Sequence, residues 1–195
     1  MNVVVIKYNA GNIRSVLFAL ERIGVDAVVT DDPTLIRAAD KVIFPGVGEA
    51  SSAMNYLKEK GLDKLISSLT QPVLGICLGM QLMCAHSEEN DTPCLGIFNQ
   101  KVKRFPDSQL KVPQIGWNNI HALKSPLFEG VNENAYMYFV HSYYVESCGD
   151  AIAKTDYIEE YSSAVHKDNF YAVQFHPEKS GEAGQKILEN FIRKI

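Results

Sequence analysis

Two short segments of this 195-residue chain carry side chains whose types and spacing suit nucleophilic acyl transfer. The first is Gly75-Ile76-Cys77-Leu78-Gly79-Met80-Gln81, a Gly-x-nucleophile-x-Gly pattern with sulfur in the nucleophile's place. Between an apolar strand and a helix, such a pattern makes a tight turn that projects one side chain outward, and the glycines let strand and helix approach. At a helix start the amide N–H groups lack intrahelical partners and the positive end of the macrodipole favours a thiolate. Cys77 is therefore expected to be the nucleophile, with the Leu78 N–H free to bind an oxyanion. An isolated cysteine is more often buried and inert; the flanking glycines and the second segment favour chemistry.

That second segment is Gln174-Phe175-His176-Pro177-Glu178. Residues two apart in an extended stretch point the same way, so His176 and Glu178 can lie side by side, while Pro177 ends ladder pairing. A carboxylate beside an imidazole fixes its tautomer and supports the cation formed when it takes a proton. Cys77, His176 and Glu178 thus form a candidate catalytic triad, although His176 alone would read equally well as a plain turn residue. His86, His121, His141 and His166 have no comparable partner in the sequence. A zinc site from Cys84, His86 and Cys94 fits no common ligand spacing, so no metal is expected. Cys84 is expected on the same helix as Cys77, packed in the core.

A third segment, Pro45-Gly46-Val47-Gly48, follows a neighbouring strand. Glycines there allow backbone amides to turn toward a carbonyl, so Val47 or Gly48 is expected to supply the second oxyanion donor, the alternative being a simple tight turn. Without a Gly-Lys-Ser/Thr continuation it is not a phosphate loop.

These segments need a scaffold, and the chain's periodicities supply one. Asn2 to Lys7, Asp26 to Thr30, Lys41 to Phe44 and Pro72 to Ile76 read as strands. Helical patterns lie between them: Ile13 to Leu20, Thr34 to Ala39 behind an Asp32-Pro33 cap, and Glu49 to Leu69 with a break at Gly61. The alternation predicts an α/β fold, a mostly parallel sheet with helices on both faces, whose ligand site lies beyond the carboxyl ends of the strands. After about Ser87 the segments Phe98 to Phe105, Ala135 to Glu146, Ala151 to Thr155 and Ser162 to Phe175 are strand-like, with a hairpin turn at Lys167-Asp168-Asn169. They predict a smaller antiparallel or mixed sheet. Ser180 is expected to cap a last helix with an Ile187, Leu188, Phe191, Ile192 and Ile195 stripe.

Composition narrows the function further. Hydrophobic residues at 46% and charged residues at 22% support a single globular domain over residues 1–195. A net charge of -4 without a basic cluster argues against nucleic acid. No leader or long apolar run points to a membrane or export, so the four cysteines are expected to be thiols in a cytoplasmic protein.

The Pro45-Gly46-Val47-Gly48 loop, the elbow and the Phe175-His176-Pro177-Glu178 turn, in that chain order, resemble the class I (triad) glutamine amidotransferase domain over the whole chain. With Pro113-Gln114-Ile115-Gly116-Trp117-Asn118 and Phe139-Val140-His141-Ser142-Tyr143, the chain is similar to the glutaminase subunits of imidazole glycerol phosphate synthase. The resemblance implies a flavodoxin-like fold and hydrolysis of glutamine to glutamate without a cofactor. It also implies transfer of the ammonia to a (β/α)8-barrel cyclase, bound as a heterodimer, in histidine biosynthesis. It further implies that Gly48, Gln81, Glu89, Ser142 and Tyr143 hold glutamine, and that Asn12, Pro113, Trp117 and Lys179 face the partner. Read without it, Trp117 is a half-buried anchor and Lys179 a solvated charge. The glutaminase of pyridoxal phosphate synthase is the nearest alternative, but adjacent glycines would be expected where this chain has Val47. With no synthetase domain attached, the ammonia acceptor is expected on another polypeptide.

Overall fold

The computed structural model describes residues 1–9 and 12–195. The β-branched segments of the first half form parallel strands, with β2 at the sheet edge: β1 (Val3–Ile6), β2 (Ala27–Thr30), β3 (Lys41–Phe44) and β4 (Val73–Ile76). β1 and β4 are buried throughout, as a sheet covered on both faces requires. The connections are α1 (Ile13–Arg22), α2 (Pro33–Arg37), α3 (Ala50–Glu59) and α4 (Leu62–Ser67). The Asp32 carboxylate accepts the Thr34 N–H at 2.7 Å and Pro33 opens α2, so the expected cap is formed. Two more helices, α5 (Leu78–Met83) and α6 (Gly181–Arg193), complete the layers. One core packs Ile36, Ala53, Leu57 and Ile66 of α2 to α4 on one side of the sheet, and the other packs Val16 and Leu20 of α1 with Ile187, Leu188 and Phe191 of α6.

The second half contributes β5 (His86–Ser87), β6 (Thr92–Pro93), β7 (Lys101–Arg104), β8 (Gln114–Asn119), β9 (Tyr136–His141), β10 (Tyr143–Glu146), β11 (Ala151–Tyr157), β12 (Glu159–Lys167) and β13 (Phe170–Val173). Among the described residues the main sheet has eleven strands in the order β2-β1-β3-β4-β13-β12-β10-β7-β5-β6, with β11 paired to β12. Most second-half strands therefore extend the central sheet. The smaller antiparallel sheet is β8 with β9 alone. The run expected over Ala135 to Glu146 divides at Ser142, and its two halves enter different sheets. The β12–β13 hairpin turns at Asp168, with φ of 53°, where an Asp/Asn turn was expected. No helix among the described residues is long and apolar enough to cross a membrane.

β13 runs parallel to β4, with Val173 beside Ile76. This pairing joins the two chemistry-bearing segments: one lies just past the end of β4, the other just past the end of β13.

Candidate active site

Cys77 follows β4 directly, and its N–H donates to the Val173 carbonyl of β13 at 2.8 Å. Its backbone sits at φ 53° and ψ −107°, in the left-handed half of conformational space that a side chain rarely adopts. Such a conformation costs on the order of 1–3 kcal/mol and survives only when the surroundings enforce it. Here the enforcement is the close approach of α5 to the sheet. A Cβ on Gly79 would collide with the Phe44 carbonyl, and one on Gly75 would lie 2.9 Å from the Met83 sulfur. α5 is only six residues long, and Cys84, expected on the helix, lies just past its end with ψ of 176° while still packing in the core.

His176 lies immediately beyond β13. Its N–H donates to Tyr138 O of β9 at 2.9 Å, and its carbonyl accepts from Ser180 Oγ at 2.6 Å. Ser180 Oγ in turn accepts the Tyr138 N–H at 2.9 Å. This corrects the expected helix cap. The Ser180 backbone, at φ −102° and ψ 28°, is not the extended conformation a cap needs, and the buried hydroxyl is drawn to the His176 carbonyl instead.

The His176 Nδ1 and Glu178 Oε1 atoms are 2.8 Å apart, with side chains 2% and 0% exposed. The carboxylate can only accept, so Nδ1 carries the hydrogen and Nε2 remains for the thiol. Burial alone would push the His176 imidazole down. The Cys77 sulfur, by charge and hydrogen bonding, and then Glu178 override burial and hold it well above its ordinary value. The site thus favours an imidazolium facing sulfur. Asn12, expected at the partner face, donates from Nδ2 to the same Glu178 oxygen.

The Cys77 sulfur also lies 3.8 Å from the Val140 carbonyl and 3.7 Å from Gln174 Nε2. Gln81 Nε2 donates to Gln174 Oε1 at 3.1 Å and to Tyr143 O at 3.0 Å. Gln174 received no role from the sequence; it lies between the end of β13 and His176, where the backbone bends. His141 was likewise passed over. It is buried, donates from Nδ1 to Tyr143 O at 2.7 Å, and has Tyr161 Oη 3.2 Å from Nε2. Burial lowers it to about 4, so it is neutral at pH 7, while the Tyr161 hydroxyl donates to Gln114 Oε1 at 3.0 Å.

Around these groups is a cavity of about 320 Å³. Cys77 and His176 line it together with every residue assigned to the oxyanion and glutamine roles: Val47, Gly48, Leu78, Gln81, Glu89, Ser142 and Tyr143. Glu178 stands behind His176. Glu89 Oε2 accepts the first N–H of α3, from Ala50, at 2.7 Å, and burial raises its carboxyl. Of the residues assigned to the partner face, Pro113 and Lys179 line this cavity. Trp117 is 56% exposed beside Ile115 on one face of β8, with its ring edge-on to Tyr138.

One expectation is overturned. The Leu78 N–H donates to the Gly46 carbonyl at 3.2 Å, so it is not free for an oxyanion. An unpartnered N–H at a helix start takes an available acceptor, and the neighbouring loop presents one. The Gly46 carbonyl and the Val47 N–H belong to one peptide unit. Turning that unit over would release Leu78 and bring the Val47 N–H toward the site in the same motion.

A thiol, an imidazole oriented from behind by a buried carboxylate, and two prospective amide donors around one cavity can carry out acyl transfer through a thioester. Comparison with known proteins bears on the substrate. A family model, Glutamine amidotransferase class-I, matches residues 4–195. The imidazole glycerol phosphate synthase subunit HisH of Bacteroides fragilis (strain YCH46) is 61% identical over 194 residues, covering 98% of this chain and 99% of its own. The same subunit from Haemophilus influenzae is 46% identical over 196 residues, with 100% and 98% covered. Among solved structures, a glutamine amidotransferase matches with a TM-score of 0.75 at 18% identity, covering 97% of this chain and 99% of its own. A putative GMP synthase subunit from Thermoplasma acidophilum gives 0.74 at 21%, covering 98% and 92%. These two likenesses are of fold alone. The chain belongs to the class I glutamine amidotransferases. Within that class its full-length relatives put it in the HisH subunit family of imidazole glycerol phosphate synthase.

Proposed function

We propose that this chain is a single glutaminase domain that hydrolyses L-glutamine on Cys77, His176 and Glu178. We further propose that it passes the ammonia, in a cytoplasmic heterodimer, to a (β/α)8-barrel cyclase subunit that makes imidazole glycerol phosphate and an aminoimidazole carboxamide ribotide. The observation that carries the reading is the strained Cys77 turn facing an imidazole whose far nitrogen is held by a buried carboxylate 2.8 Å away.

The Cys77 sulfur attacks the side-chain amide carbon of glutamine, and His176 gives its proton to the departing ammonia. The thioester remains. Water that loses a proton to His176 then attacks it, and glutamate leaves as the sulfur is regenerated. Gly48, Gln81, Glu89, Ser142 and Tyr143 hold the substrate. Leu78 and Val47 bind the oxyanion in both halves once the Gly46–Val47 peptide has turned. Each such donor lowers the barrier by about 3 kcal/mol, a factor of hundreds, so the arrangement seen here is a slow one. Docking of the cyclase, at a face that includes Trp117 and Lys179, supplies the turn.

The test is a glutaminase assay on wild type and Cys77→Ala, each with and without the cyclase and its ribonucleotide ligand. Wild type should be slow alone and faster by a factor on the order of hundreds in the complex. Cys77→Ala should lose at least about a thousandfold in both settings. Activity surviving in Cys77→Ala removes the triad, and equal rates with and without the cyclase remove the switch.

A further inference from the structure

Tyr8 lies just beyond β1, and no step above uses it. Its ring is buried against Phe44, with centroids 5.2 Å apart, and its hydroxyl donates to the Pro45 carbonyl at 2.6 Å. Burial, reinforced by the nearby Cys77 sulfur, pushes the phenol far above its ordinary range, so it remains a donor at every working pH. The next residue of the loop rests on the same oxygen. A Cβ on Gly46 would overlap Tyr8 Oη, and it would also lie 3.0 Å from Leu78 Cβ and 3.2 Å from Gly79 N. The Pro45–Gly46 peptide is therefore gripped from two directions, by a hydrogen bond on its carbonyl and by the elbow on the glycine.

The peptide that must turn is the following one. Peptide units are planar, so a single unit rotates by opposite changes in ψ of the residue before it and φ of the residue after it. Neighbouring Cα atoms then stay nearly in place. Release of Leu78 and entry of the Val47 N–H thus require motion about Gly46 and Val47, with Pro45–Gly46 held still. If Pro45 moved as well, the Val47 N–H would arrive at scattered positions, and an oxyanion donor acts only within about 2.7–3.1 Å of its target.

We propose that Tyr8 is a positioning residue for glutamine hydrolysis, the fixed pivot that confines the rearrangement of the oxyanion loop to the Gly46–Val47 peptide. This rests on the triad and oxyanion assignments above.

The decisive variant is Tyr8→Phe, which keeps the ring and deletes the hydroxyl, assayed in the complex with the cyclase. kcat should fall about tenfold or more with KM for glutamine within about twofold, since the hydroxyl serves the transition state and not ground-state binding. Alkylation of Cys77 by iodoacetamide needs no oxyanion donor and should keep its wild-type rate. Gly46→Ala should be severely impaired, and adding Tyr8→Phe should restore part of its kcat, because the colliding oxygen is then gone. An unchanged kcat in Tyr8→Phe, or a parallel loss of kcat and alkylation rate, overturns the pivot. Cys77→Ala in the same complex separates the two failures. If it is active, the triad reading is wrong, whereas an inactive Cys77→Ala beside a fully active Tyr8→Phe removes only the pivot.

Discussion

His176 is governed by opposing influences. Burial works against its proton, while the sulfur of Cys77 and the carboxylate of Glu178 work for it and prevail. Removing the sulfur leaves burial opposed by Glu178 alone, so Cys77→Ala should lower the His176 pKa by well over one unit, read by NMR titration of the imidazole. An unmoved titration would show that the sulfur does not hold the proton. The sign for stability follows: with the folded value raised, the stabilising contribution is complete below the ordinary imidazole value of about 6.5 and is lost as pH climbs through the raised one. These three residues were legible in the sequence because their types are rare in such a pattern and the spacing of His176 and Glu178 is local. Gln174 and His141 were not. Gln174 reaches the sulfur, and His141 the same cavity, through strand pairings between distant segments, which no local pattern records.

The elbow and its neighbouring strand are held together by the lack of side chains at Gly75 and Gly79. Gly79→Ala sets a methyl group against the Phe44 backbone carbonyl, which cannot swing aside as a long side chain would. The expected cost is about 2–3 kcal/mol, measured as a lowered urea midpoint at unchanged slope, together with loss of glutaminase activity as Cys77 is displaced. A midpoint equal to wild type would mean that α5 shifts freely over the sheet. The parallel strands and α1 to α4 followed from periodicity with small errors at their ends, because apolar spacing and caps are local signals. β8 gave no such signal: Pro113, Gly116, Asn118 and Asn119 break the alternation, and β9 supplies its pairing. Ser180 carried the right residue type for a cap, yet the buried turn at His176 claimed its hydroxyl.

The whole molecule feels His141, which is packed among Phe105, Phe139 and Tyr161 where the small sheet meets the large one. Its value is lowered by burial to about 4, so the unfolded chain takes up a proton that the folded chain refuses. This contribution to stability is full above about 6.5 and is lost as pH falls toward about 4. Urea midpoints measured across that window should drop less steeply in His141→Gln than in wild type; identical slopes would show that His141 titrates normally. The sheet order also has a consequence for biosynthesis. β4 acquires its neighbour on one side only when β13, beginning at residue 170, has left the ribosome. Until then the apolar edge of β4 stays unpaired, an invitation to aggregation that a chaperone would have to shield. On the proposed triad, a nascent polypeptide that still lacks His176 and Glu178 is inert toward glutamine, so half-made copies would release no free ammonia.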